Sequence, residues 1–128
     1  MPFSRASPKE RMVLPMHWTT FPPRMRQLER FVGLFEASRI RADGCDILLG
    51  TYPARTTIEP HQHDTDNYGV ITRGEMFITI GDVERRYGPG EWYHVPANVV
   101  HSARCSADTE EIEFWFAVDR SLSRDRGP

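Results

Sequence analysis

A chain of 128 residues with 39% hydrophobic and 27% charged residues is long enough to bury a core without disulfides or a structural metal, and its length points to one domain. The formal net charge of −2, with no basic run interleaved with aromatics, argues against nucleic acid, and no stretch approaches the roughly 18 apolar residues of a membrane span. Two cysteines, Cys45 and Cys105, are too few for a disulfide framework; they read as free thiols in a reducing cytoplasm, with a single bridge between them as the alternative.

The N-terminal MPFSRASPKERMVLPM carries charges and no sustained apolar core, so no secretory signal is expected. Residues 1–31 are expected to form an arm that packs on the main body, with His17 and Trp18 as packing residues. A short turn of helix follows Pro22-Pro23, over 24–30. The pattern then becomes β. FVGLFEASRI (31–40) predicts one strand, ADG a turn, and CDILLGTY (45–52) a second strand. The stretch from Pro53 to His63 is extended and broken by prolines. Further strands are expected over 67–74, 75–82, part of VERRYGPGE, 91–97, 100–107 and 110–119, before a flexible tail at 120–128. Short strands every 8–12 residues argue for an all-β sandwich or barrel, spanning 32–119.

Side chains alternate along a strand, so His61 and His63 in PHQH point the same way and can approach one ion. Neutral imidazole suits Zn, Fe, Ni and Cu. Two ligands rarely suffice. His101, five residues after Pro96, opens a later strand and is the candidate for completing the site. His94 and Tyr93 are neighbours on another strand, so one of them faces the interior and is a candidate general acid or base. Phe114, Trp115 and Phe116 read as core, with Trp115 able to wall a pocket. Cys105 shares parity with His101 and reads as a small core residue, as does Cys45.

These residues carry a resemblance. The chain resembles the cupins, small double-stranded β-helix (jelly-roll) barrels whose first motif runs G-x5-H-x-H-x(3,4)-E-x6-G and whose second runs G-x5-P-x-G-x2-H-x3-N. His61, His63 and Gly74 match the first; Gly90, Pro96 and His101 match the second. The departures are specific. Arg55 stands at the leading glycine, Asn98 at the second motif's inner glycine and Cys105 at its final asparagine. Asn67 stands at the glutamate. The resemblance implies a divalent transition metal (Fe, Zn, Ni or Mn) held by His61, His63 and His101, with Asn67 as a weak fourth ligand or a partner for bound water.

The expected function is therefore a metal-dependent enzyme acting on a small oxygenated molecule. Oxygen-dependent cleavage at a three-histidine iron ranks first, because the carboxylate is missing. Isomerase, lyase or decarboxylase chemistry with the ion as Lewis acid comes next. The rival is a non-catalytic barrel that binds or senses a metabolite. A small-molecule partner and a homodimer are implied by the resemblance.

Overall fold

The computed structural model describes residues 19–32 and 36–118. The expectations for His17, Trp18 and the rest of residues 1–18, and for the tail at 120–128, lie outside these. Among the described residues there are ten strands and one 3₁₀ turn, Met25–Gln27. The strands are β1 Glu29–Val32, β2 Glu36–Ala42, β3 Cys45–Tyr52, β4 Thr57–His61 and β5 Thr65–Arg73, then β6 Met76–Ile80, β7 Val83–Tyr87, β8 Trp92–Val95, β9 His101–Cys105 and β10 Thr109–Ala117. They form two antiparallel sheets, one ordered β1-β2-β3-β10-β5-β8 and the other β4-β9-β6-β7. This is the expected all-β jelly-roll.

One expectation is corrected. The stretch 31–40 is not one strand: β1 and β2 pair as a hairpin, with Val32 opposite Glu36. Gly33 lies in this interval and is a break signal that the surrounding apolar residues outweigh when the sequence is read alone. The helical turn expected over 24–30 is also shorter, because β1 begins at Glu29 and puts the end of the proposed arm into the six-stranded sheet.

The core lies between the sheets. Tyr52, Ile71, Met76, Ile78, Val95 and Cys105 form its buried centre. Cys45 is only half-buried, at the start of β3, and both cysteines are free thiols. The outer face of the six-stranded sheet is capped at one end by the segment leading into the 3₁₀ turn. There Glu110, fully buried, accepts hydrogen bonds from the Thr20 amide at 2.9 Å and from the Thr19 and Thr20 hydroxyls, with Arg73 nearby at 3.8 Å.

Two backbone positions explain two of the motif departures. Asn98 has φ +64°, so an asparagine fills a glycine position through its tolerance of the left-handed region. Its amide donates to the His63 carbonyl at 2.6 Å, which ties the second motif to the first. Arg55 has φ +71° where the first motif has its leading glycine. A side chain there costs about 1–2 kcal/mol, against about 0.5–1 kcal/mol for the looser unfolded chain of glycine. Arg55→Gly is therefore expected to stabilise the fold by about 0.5 kcal/mol, read as a Tm rise of about 2 °C. A lower Tm would show that the arginine side chain makes up the difference by other contacts.

Candidate metal centre

The site is built where the two sheets open. β4 ends at His61, and His63 follows in the connection to β5; His101 opens β9 and pairs directly across from His61. The ring centroids are 4.6 Å apart for His61–His63, 4.4 Å for His61–His101 and 5.1 Å for His63–His101. One nitrogen from each ring lies within 4.8 Å of the other two. The parity argument for His61 and His63 thus gives the right neighbours, although His63 is not itself in a strand.

The hydrogen bonds fix which nitrogens face inward. His61 Nδ1–H donates to the Glu59 carbonyl at 2.8 Å and His101 Nδ1–H to the Val99 carbonyl at 2.9 Å. A proton held on Nδ1 leaves the Nε2 lone pair free, the arrangement that orients imidazole toward a metal. His61 Nε2 and His63 Nε2 are 3.1 Å apart. Burial, then the neighbouring His61 and His101, pulls the His63 pKa down to about 4. His101 is lowered as well, first by burial. His63 and His101 are thus suited to ligate as neutral imidazoles. Three ring nitrogens converging on one point fit a divalent transition metal.

Asn67 lies on the same cavity wall and is 5% exposed; its Oδ1 accepts from the Thr65 hydroxyl at 2.6 Å. Of the two neighbours on β8, Tyr93 turns in and lines the cavity, while His94 turns out. His94 pairs with Asp66 at 2.6 Å and stacks on Tyr68 with centroids 4.2 Å apart. Strand alternation is the reason: adjacent residues take opposite faces. Gly69 sits across from Tyr93, and a Cβ there would come within 2.3 Å of the tyrosine ring, so the glycine makes room for it.

The cavity beside the histidines measures about 80 Å³. Tyr52, Ile58, Met76, Ile78, Val95 and Ala103 contribute most of its apolar wall. The sequence reading missed two of its residues. Glu111 and Glu113, on β10, are 1% and 6% exposed and both line the cavity. Tyr93 Oη donates to Glu111 Oε1 at 2.6 Å. Glu113 accepts from Tyr52 Oη at 2.6 Å and from Trp115 Nε1–H at 2.7 Å. Trp115 also packs on His63, with centroids 4.5 Å apart. The sequence marks Trp115 as a possible pocket wall, and period-2 parity from it points to both acids.

Burial, and then the charge of Glu113, raises the Glu111 pKa well above the usual carboxyl value of 4.5. Below that value the carboxyl is protonated in both folded and unfolded chains. Above it the unfolded chain ionises while the folded one holds its proton, so this group subtracts stability as pH rises. Glu111→Gln keeps an acceptor for Tyr93 and removes the ionisation. It is expected to leave Tm near the parent at pH 4 and to raise it at pH 8 by about 4 °C, for a gain of about 1 kcal/mol. A scanning-calorimetry series over pH checks this, and an equal shift at both pH values would refute it.

Three comparisons bear on the site. A family model for the Cupin domain matches residues 48–118, a span that includes His61, His63 and His101. An H2HPP isomerase of Bacillus subtilis is 37% identical over 91 residues, covering 70% of this chain; the chain spans only 38% of that relative's length. Among solved structures, KdgF from a Halomonas species superposes with TM-score 0.65 at 16% identity, over 81% of this chain and 97% of that one. An RmlC-like cupin from Shewanella frigidimarina gives TM-score 0.64 at 16% identity, over 75% and 89%.

Proposed function

The chain belongs to the cupin family, and from that premise we propose that it is a metal-dependent enzyme that moves protons on a small oxygenated molecule, an isomerase-type activity. One observation carries this reading: the three-histidine cluster and two buried carboxyl groups line the same cavity. His61, His63 and His101 would hold a divalent transition metal, with Asn67 at hand for water or substrate. When bound, such an ion supplies Lewis acidity, polarising a carbonyl oxygen. The chain's own groups do the rest. The apolar wall excludes water, Tyr52, Tyr93 and Trp115 fix the carboxyl groups, and Glu111 and Glu113 exchange protons with the substrate. The 37%-identical relative named as an isomerase supports the reaction class.

Oxygen-dependent cleavage is the second reading, favoured by the neutral Asn67 in place of a ligating carboxylate. The acid pair supplies proton transfer with both its acid and its base, which ranks it ahead of cleavage. Metal-loaded protein given a panel of small oxo acids and diketones separates the readings. Products isomeric with the substrate, without oxygen uptake, support the proposal. Oxygen uptake supports cleavage, and saturable binding without turnover supports a metabolite-binding barrel.

The exposed Tyr68, Trp92 and Phe116 are among the apolar side chains available on the described surface for the homodimer that family resemblance implies, and sedimentation tests that state. No helix among the described residues is long and apolar enough to cross a membrane. Two free thiols suit the proposed cytoplasmic location.

A further inference from the structure

Glu111 and Glu113 are separated by one residue on β10, on the same face, and both open onto the cavity. Burying one carboxyl is costly, and burying two side by side as anions is more so. A fold that only needed a core would place apolar side chains here, as it does at Ile71 and Val95. Glu113 accepts from Tyr52 and Trp115, and Glu111 from Tyr93, while Tyr52 and Glu113 are also hydrogen-bond partners of Glu111. Among the described residues no lysine or arginine lines the cavity. A hydrogen bond between two carboxyl groups needs a proton on one of them, so the pair holds one shared proton.

Resting on the isomerase reading above, we propose that Glu113 is the base and Glu111 the acid of a single proton-sharing pair, and that the substrate is a small carbonyl compound with an acidic C–H bond beside the carbonyl. The Glu113 carboxylate takes the proton from that carbon. The C–H electron pair becomes the new C=C bond of the enolate, and the negative charge moves to the carbonyl oxygen. Glu111 then gives its proton to a carbon of the enolate system, either the same one or the far end of a conjugated one. The proton on Glu113 passes to Glu111, and the pair is reset. Nothing is oxidised or reduced, and no co-reactant is consumed. The cavity of about 80 Å³ suits a small compound. Tyr52 and Tyr93 are positioning residues in this scheme.

The test uses 2-oxobutyrate in D2O, with hydrogen exchange at C3 followed by proton NMR for metal-loaded wild type, Glu113→Gln, Glu111→Gln and Tyr52→Phe. Wild type is expected to exchange C3 hydrogens above the buffer rate, and Glu113→Gln to lose about 100-fold or more with its metal content unchanged. Tyr52→Phe, which removes one donor and keeps the carboxylate, is expected to move the acid limb of the exchange profile to higher pH. A second readout needs neither metal nor substrate. Infrared spectra of metal-free protein at neutral pH are expected to show a protonated-carboxyl C=O band that Glu111→Gln abolishes. Wild-type exchange at the buffer rate, unchanged exchange in Glu113→Gln, or absence of that band would each overturn the proposal. Oxygen uptake by the same samples would instead sink the isomerase reading, and the infrared band does not depend on it.

Discussion

Replacing His101 with alanine is expected to strip the protein of its metal. His101 is 8% exposed, and its Nδ1 is fixed by the Val99 carbonyl, so no other donor can swing into its place without breaking the start of β9. The two remaining imidazoles, His61 and His63, cannot hold a divalent ion against solvent. Affinity should fall by more than the about 10–100-fold that loss of an outer partner costs. Elemental analysis of untagged protein, with a chelator titration, reads this directly. Near-stoichiometric metal in His101→Ala would refute the three-histidine site. Acid should act in the same direction. Because burial and its histidine neighbours lower His63 to about 4, its ring stays neutral well below the ordinary imidazole value of 6.5. Protonation of His63 is therefore expected to contribute to metal loss only as pH approaches that lowered value.

The second large effect is expected at Gly74, where the turn from β5 to β6 requires φ +87°. A Cβ there would also come within 2.3 Å of the Asp108 carbonyl and 2.6 Å of Thr109 Oγ1. That turn packs on the one before β10, where Thr109 Oγ1 accepts from the Glu75 amide at 3.1 Å. The positive φ and the backbone clash add, because neither can be relieved by a rotamer change. Gly74→Ala is expected to cost about 3 kcal/mol, a Tm drop on the order of 10 °C. Thermal or urea unfolding checks it. A cost under about 1 kcal/mol would mean that the two turns can separate freely, against the packing seen here. The contrast with Arg55 is instructive, since the same left-handed region is tolerated there by a side chain with open space to leave into.

The jelly-roll and the three ligands were legible in the sequence because both depend on local rules. Period-2 patterning, turn residues and motif spacing mark β3 through β10 to within a few residues, and they place His61, His63 and His101 at strand ends. The hairpin between Val32 and Glu36 was not legible, since apolar residues on both sides of Gly33 mimic one continuous strand.

The sequence by itself determined which side chains share a face; only the tertiary structure decided which face is inside. In EEIEFWF, parity groups Glu111 with Glu113 and Trp115, and Ile112 with Phe114 and Phe116. An apolar-inside rule then turns the glutamates outward. The fold does the reverse, because β10 is the central strand of a sheet with a cavity on one side, where tyrosine and tryptophan donors satisfy the acids. The outer side is partly covered and leaves Phe116 exposed. Tyr93 and His94 pose the same choice on β8, and it is settled by the space that Gly69 leaves opposite. Burial of a polar group depends on partners that arrive from distant strands, and those partners exist only once the chain has folded.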